Sequence, residues 1–127
     1  MARLLGISVQ EVQANRKAAA KSCADLSRGV VVLKGAGTLV TDGARVYLNT
    51  TGNPGMATGG TGDVLAGLIG ALLGQKMSAF DAACLGVYLH GRAGDLAAKR
   101  LGVWSLVAGD LLEKLPNAFR KHARRGR

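Results

Sequence analysis

The stretch from Asn49 to Asp63, NTTGNPGMATGGTGD, holds five glycines and an Asn-Pro pair, and it runs straight into the apolar segment VLAGLIGALL. A loop this rich in glycine either adopts positive φ or lets its backbone approach something closely. Val64, Leu65, Leu68, Ile69, Leu72 and Leu73 recur at helical spacing, so a helix is expected to begin near Gly62, with Gly67, Gly70 and Gly74 permitting tight contact. A glycine loop feeding a helix gathers free N–H groups and the positive end of the helix dipole at one place, which is an anion site. Gly59, Gly60, Thr61 and Gly62 would supply the N–H groups, and Asp63 would stand beside the bound anion. A carboxylate in a first turn is also favoured by the dipole alone. A cap, however, needs one or two glycines, and five in one loop point to phosphate.

Two other phosphate motifs do not apply. Residues 55–61, GMATGGT, lack the Gly-Lys-Ser/Thr ending of a P-loop, and Gly35-Ala36-Gly37 lacks the third glycine and following helix of a dinucleotide fingerprint. Lys34 is nonetheless a candidate phosphate ligand, because it ends a strand and is followed by Gly35, Ala36, Gly37 and Thr38. A solvated strand end is the plain alternative.

These residues must be placed by the elements around them. Ser8 and Glu11 have capping-box spacing, which predicts one helix from there to about Cys23 with Val12, Ala19 and Ala20 facing inward. Gly29 to Leu33 is a β-branched run without alternation, suited to a strand covered on both faces. Thr38 to Leu48 reads as two strands turning at Asp42-Gly43. Ser78 and Asp81 resemble a second cap, and Ala82, Leu85, Leu89, Ala93 and Leu96 continue a helical face to about Arg100. A short last helix, Gly109 to Leu115, is expected before Pro116. His90 falls inside the helical apolar pattern and reads as a packed or helix-pairing histidine, while Arg92 and Asp95 read as a surface pair.

Composition narrows the function. The 127 residues are 48% apolar, which suits one domain. Five aromatic residues make a base-stacking surface, and so a nucleic-acid partner, unexpected. Cys23 and Cys84 lie far apart without CxxC spacing, so inert thiols are expected and neither a protein-held metal site nor a disulfide. The longest apolar stretch is too short to cross a bilayer and the N-terminus has no signal core, so no membrane partner and a cytoplasmic location are expected. Of the net +9, only +3 belongs to residues 1–113; the other +6 lies in Lys114 to Arg127, read as a solvated basic extension. The division expected is residues 1–115 as a partial domain and 116–127 as a basic tail.

GNPGMATGGTGDVLAGLIGALL, preceded by VVLKGAGTLV and followed by DAACLGVYLHGRAGDLAA, resembles the ADP/ATP-dependent NAD(P)H-hydrate dehydratases of the ribokinase-like superfamily over residues 3–115. The Gly60-Thr61-Gly62-Asp63 element occurs throughout that superfamily, whereas NPGMATGGTGD joined to LKGAGT is specific to the dehydratases. The resemblance implies an α/β fold of the three-layer αβα kind, with helices on both faces of a largely parallel sheet, present here as its C-terminal half. It implies ADP (bacterial enzymes) or ATP (eukaryotic enzymes) as co-substrate, Mg²⁺ as charge partner, and hydrated NADH or NADPH (NADHX or NADPHX) as the small-molecule substrate. The hydrate hydroxyl is phosphorylated and phosphate is then eliminated, which repairs the nicotinamide. On this resemblance Lys34, Gly35, Ala36, Gly37 and Thr38 hold the nucleotide together with Gly59, Gly60, Thr61 and Gly62, while Asp63 and Asn53 face the hydrate and Asp63 is catalytic.

The chain departs from the family in length, because the family's first half supplies most strands and much of the hydrate pocket. Association of like chains, a homo-oligomer, is expected to cover the sheet edge left open. Two other readings are a ribokinase-like small-molecule kinase using the same Asp63, and a catalytically silent nucleotide-binding fragment.

Overall fold

The computed structural model describes residues 1–125. Six α-helices are present among the described residues: α1 (Ala2–Leu5), α2 (Val9–Ala14), α3 (Arg16–Ser27), α4 (Thr61–Gly74), α5 (Ala79–Leu101) and α6 (Ala108–Arg125). The strands are β1 (Val31–Leu33), β2 (Leu39–Thr41) and β3 (Val46–Leu48).

The capping box at Ser8 forms in both directions: Glu11 N–H donates to Ser8 Oγ at 3.0 Å, and Ser8 N–H donates to Glu11 Oε2 at 2.6 Å. The helix it starts is shorter than expected. Asn15 leaves helical geometry and its side chain accepts from Ala18 N–H at 3.3 Å, so one asparagine ends α2 and caps α3. The inward face survives this break, with Val12, Ala19 and Ala20 all buried.

The sheet runs β1-β2-β3 with both pairings antiparallel. The largely parallel sheet implied by the resemblance is therefore absent from the described residues, which hold an antiparallel part. Val32, Val40 and Tyr47 are register partners on one face, where Val40 packs with Leu65, Ala83 and Val87 of α4 and α5. Residues alternate along a strand, so Leu33, Leu39 and Thr41 share the other face, toward α3. Helix, sheet and helices thus form three layers. Only β2 is fully buried; the residues of β1, expected to be covered on both faces, are half-buried. The β2–β3 turn falls at Asp42-Gly43 as expected: Asp42 Oδ1 accepts from Ala44 N–H and Arg45 N–H, and Gly43 takes φ 98°.

α5 is buried almost all round, with Ala82, Gly86, Leu89, Ala93 and Ala97 among its inward residues. Gly86 lets Ile69 of α4 approach closely, since a Cβ there would lie 2.6 Å from Ile69 Cγ1. The glycines of α4 do the opposite of what was expected. No atom lies within 4 Å of where a Cβ on Gly67, Gly70 or Gly74 would be, so they face open space.

α6 corrects the short last helix, while Arg120 and Lys121 of the basic segment are exposed, as expected of solvated side chains. It continues through Pro116 to Arg125, with Ala118 buried and the His122 ring 5.7 Å from that of Tyr88. Proline removes one helical hydrogen bond, the one to Leu112, on the exposed side of the helix where water can replace it. The final two residues of the tail lie outside the described residues. No described helix is long and apolar enough to cross a membrane.

Candidate functional site

The long loop between β3 and α4 is shaped by α5. Asn49, buried at the end of β3, donates to the carbonyls of Thr51 and Val87 and accepts from Tyr47 Oη–H and Thr51 Oγ1–H. Asp95 then catches the next turn: Gly52 N–H donates to one carboxylate oxygen and Asn53 Nδ2–H to the other, both at 3.0 Å. Asp95 is therefore a loop anchor, and the surface pair expected with Arg92 is not among the described ion pairs. Gly91 and Gly94 leave room for this docking, because a Cβ on Gly91 would collide with Thr51 and one on Gly94 with Met56. Asn53 also accepts from Gly55 N–H, so one end of its amide is engaged within the loop and the other with Asp95 of α5.

The glycine run then turns into α4. Gly60, at φ 89°, occupies the position that begins the helix, and no side chain caps it. The first helical bond comes from Val64 N–H, so the N–H groups of Thr61, Gly62 and Asp63 are left without an acceptor among the described residues. Thr61 is a latch: its hydroxyl proton is shared between the carbonyls of Met56 at 2.9 Å and Thr58 at 3.0 Å. His90 Nε2–H donates to the Thr61 carbonyl at 2.9 Å, which is the helix-pairing role expected of it. Burial holds the His90 pKa below the usual imidazole value, opposed by that hydrogen bond and assisted by the Lys34 charge. His90 is thus a neutral donor near neutral pH.

Lys34 closes the arrangement. A Cβ on Gly62 would lie 2.9 Å from Lys34 Nζ, so the ammonium rests against the first turn of α4. The loop that follows, Gly35 to Thr38, has four N–H groups with no acceptor among the described residues, and Thr38 Oγ1–H braces it by donating to the Gly35 carbonyl at 3.1 Å. Lys34 therefore links the Gly35–Thr38 loop to Gly62, and each side of that link carries N–H groups without an acceptor among the described residues. Asp63, in the first turn of α4, is exposed and makes no capping hydrogen bond. Such a place suits a polyphosphate, with one carboxylate free to take a proton.

Residues 1–117 match the family model described as NAD(P)H-hydrate dehydratase. The chain belongs to that family. It is 55% identical over 114 residues to the bifunctional NAD(P)H-hydrate repair enzyme of Vibrio cholerae, which covers 90% of this chain and 23% of that protein. It is 46% identical over 112 residues to the ADP-dependent (S)-NAD(P)H-hydrate dehydratase of Neisseria meningitidis, covering 87% of this chain and 38% of that protein. The fold matches the Bacillus subtilis ADP/ATP-dependent NAD(P)H-hydrate dehydratase co-crystallized with ATP/Mg²⁺ at a TM-score of 0.89 and 35% identity, over 94% of this chain and 44% of that one. The fold is thus the ribokinase-like α/β kind, and the chain spans less than half the length of each of these relatives.

Asn49, Thr51 and Asp95 position the site, and sequence reasoning passed over the first two. Their partners lie 37 to 43 residues away, and no local pattern announces such bonds. The small residues of HGRAGD, opposite TTGNP, were the available signal.

Proposed function

We propose that this chain is the C-terminal, nucleotide-binding half of a dehydratase that uses ADP or ATP to repair NADHX or NADPHX. The observation that carries the reading is Lys34 Nζ resting on Gly62, which joins the two N–H-lined loops into one anion site with Asp63 at its edge. The family membership supplies the substrate class.

In the reaction, the nucleotide's terminal phosphoryl group lies between the Gly35–Thr38 loop and the first turn of α4. Asp63 accepts the proton as the hydrate hydroxyl attacks phosphorus and the nucleotide leaves with one phosphate fewer. The N–H groups and Lys34 stabilise negative charge on the transferring oxygens. Loss of a ring proton then expels phosphate with the C–O electron pair and restores the double bond. Mg²⁺ fits a site that offers Asp63 and no cluster of three or more metal-ligating side chains among the described residues, because that ion takes most of its ligands from phosphates and water; when bound it would neutralise phosphate charge. Asn53 acts by holding the loop beside the hydrate. Self-association belongs to the same reading, since β1 and β3 are edges of a three-stranded sheet.

The test replaces Asp63 by Asn in the complete two-half enzyme. Hydrate turnover, read as recovered reduced-nicotinamide absorbance, should fall by about a hundredfold to ten-thousandfold while ADP binding by calorimetry is kept. Near-normal turnover would leave Asp63 as a dipole partner only. A phosphorylated product that accumulates without recovered absorbance would favour the kinase reading, and binding without any turnover in the wild-type enzyme would favour a silent fragment.

A further inference from the structure

Arg16, the first residue of α3, lies behind the Lys34–Thr38 loop and holds it by its carbonyls. Nη1–H donates to Ala36 O at 2.8 Å and Gly37 O at 3.3 Å, and Nη2–H to Leu33 O at 3.1 Å and Lys34 O at 3.2 Å. No carboxylate pairs with it among the described residues, and its Nε is buried without a partner. A cation kept only for stability would be expected to find a carboxylate and to satisfy all its donors. This one spends four hydrogen bonds on main-chain oxygens, three in this loop and one on Leu33 at the end of β1 that leads into it.

The consequence follows from peptide geometry. No cis bond is present among the described residues, and in a trans peptide the N–H points opposite to the C=O in the same plane. Drawing the oxygens of Lys34, Ala36 and Gly37 toward the guanidinium therefore turns the N–H groups of Gly35, Gly37 and Thr38 to the opposite side. These are N–H groups without a protein acceptor among the described residues. Gly35 makes the approach possible: it takes φ 140°, and a Cβ there would lie 3.2 Å from Arg16 Nη2.

We infer that Arg16 is the positioning residue of the phosphate site, orienting the N–H groups of Gly35, Gly37 and Thr38 outward and placing a second positive charge behind the loop that Lys34 fronts. The inference rests on the nucleotide reading of the site. Arg16 touches the loop and not the ligand, so it acts on phosphate affinity through backbone direction. Lysine cannot replace it, because a single ammonium cannot span four carbonyls in one plane.

The experiment measures binding of ADP and of adenosine to this chain by calorimetry, for the parent, Arg16→Lys and Arg16→Gln, with thermal unfolding followed for each. ADP affinity should fall about tenfold or more in both variants, as is usual when an outer orienting group is lost. Adenosine affinity should stay within about twofold, because it carries no phosphate. Unchanged ADP affinity in a folded Arg16→Lys chain overturns the inference, and so does an equal loss for ADP and adenosine, which would mean general loosening. A parent chain that fails to bind ADP overturns the nucleotide reading itself, and the inference with it. If Arg16→Gln does not fold, Arg16→Lys keeps the charge and decides alone.

Discussion

His90 and Thr61 are joined by a hydrogen bond from imidazole Nε2–H to the Thr61 carbonyl, so the middle of α5 holds the first residue of α4 in place. The same Thr61 latches the preceding loop through its hydroxyl. One residue thus ties the glycine loop, the start of α4 and α5 together, and the anion site inherits its shape from that junction.

This junction makes stability depend on pH. The folded chain holds the His90 pKa below its ordinary value, so the unfolded chain takes up a proton first as pH falls through about 6.5. The stabilisation is full above that pH and is lost as pH drops from there toward the folded value. His90→Gln keeps an N–H donor but cannot titrate. Urea unfolding at stepped pH should show a decline below about pH 6.5 in the parent that is reduced in the variant; parallel profiles would mean that His90 does not report this junction.

Gly62→Ala should separate stability from binding. Alanine is preferred over glycine in a helix by about 1 kcal/mol, and the clash is with the mobile end of Lys34, so the melting temperature should hold or rise. The methyl group would occupy the place where the ammonium meets the helix start, and ADP affinity should fall by about tenfold or more. Equal affinity would show that the Lys34 contact with Gly62 is incidental.

Asp95→Asn should loosen the loop from a distance. The carboxylate accepts from Gly52 and Asn53 on its two oxygens, and an amide offers only one acceptor. A loss of about 1 kcal/mol in stability is expected. Faster amide exchange at Gly52 and Gly55, with α6 unchanged, is the companion signal. Unaltered exchange in this loop would remove Asp95 as its anchor.

Deleting residues 118–127 removes the buried Ala118 and the His122 ring beside Tyr88. Stability should drop by about 1–3 kcal/mol, within the range of lost core contacts. ADP affinity measured well below the melting transition should change less than about tenfold, since no candidate site residue lies on α6. A larger loss would give the basic segment a place in binding.

The parts of this molecule legible in the sequence are those fixed by local chemistry. Ser8 with Glu11, the turn at Asp42-Gly43, and the passage from Gly59-Gly60-Thr61-Gly62 into an apolar helix each carry their cause within a few residues. Asn15 misled because a polar residue within a helical pattern gives no local sign of whether it will face solvent or cap a new helix. Asp95 misled for a different reason: its sequence neighbour Arg92 offered a ready partner three residues away, while its actual donors come from another segment. Arg16 was invisible on the same ground, since a guanidinium bonded to main-chain oxygens leaves no trace in the identity of its partners. Pro116 suggested an end that the burial of Ala118 overrode.

Gly67, Gly70 and Gly74 touch nothing, yet each makes α4 a poorer helix than alanine would, by about 1 kcal/mol. As a free peptide, residues 61–74 would be mostly random coil in water, being short and glycine-rich. Their order in the protein comes from the side bearing Leu65, Leu68 and Leu72, which lies against its neighbours. α4 is therefore a dependent helix, and damage to α5 at Gly86 should be felt as fraying around Asp63 before it is felt as global unfolding.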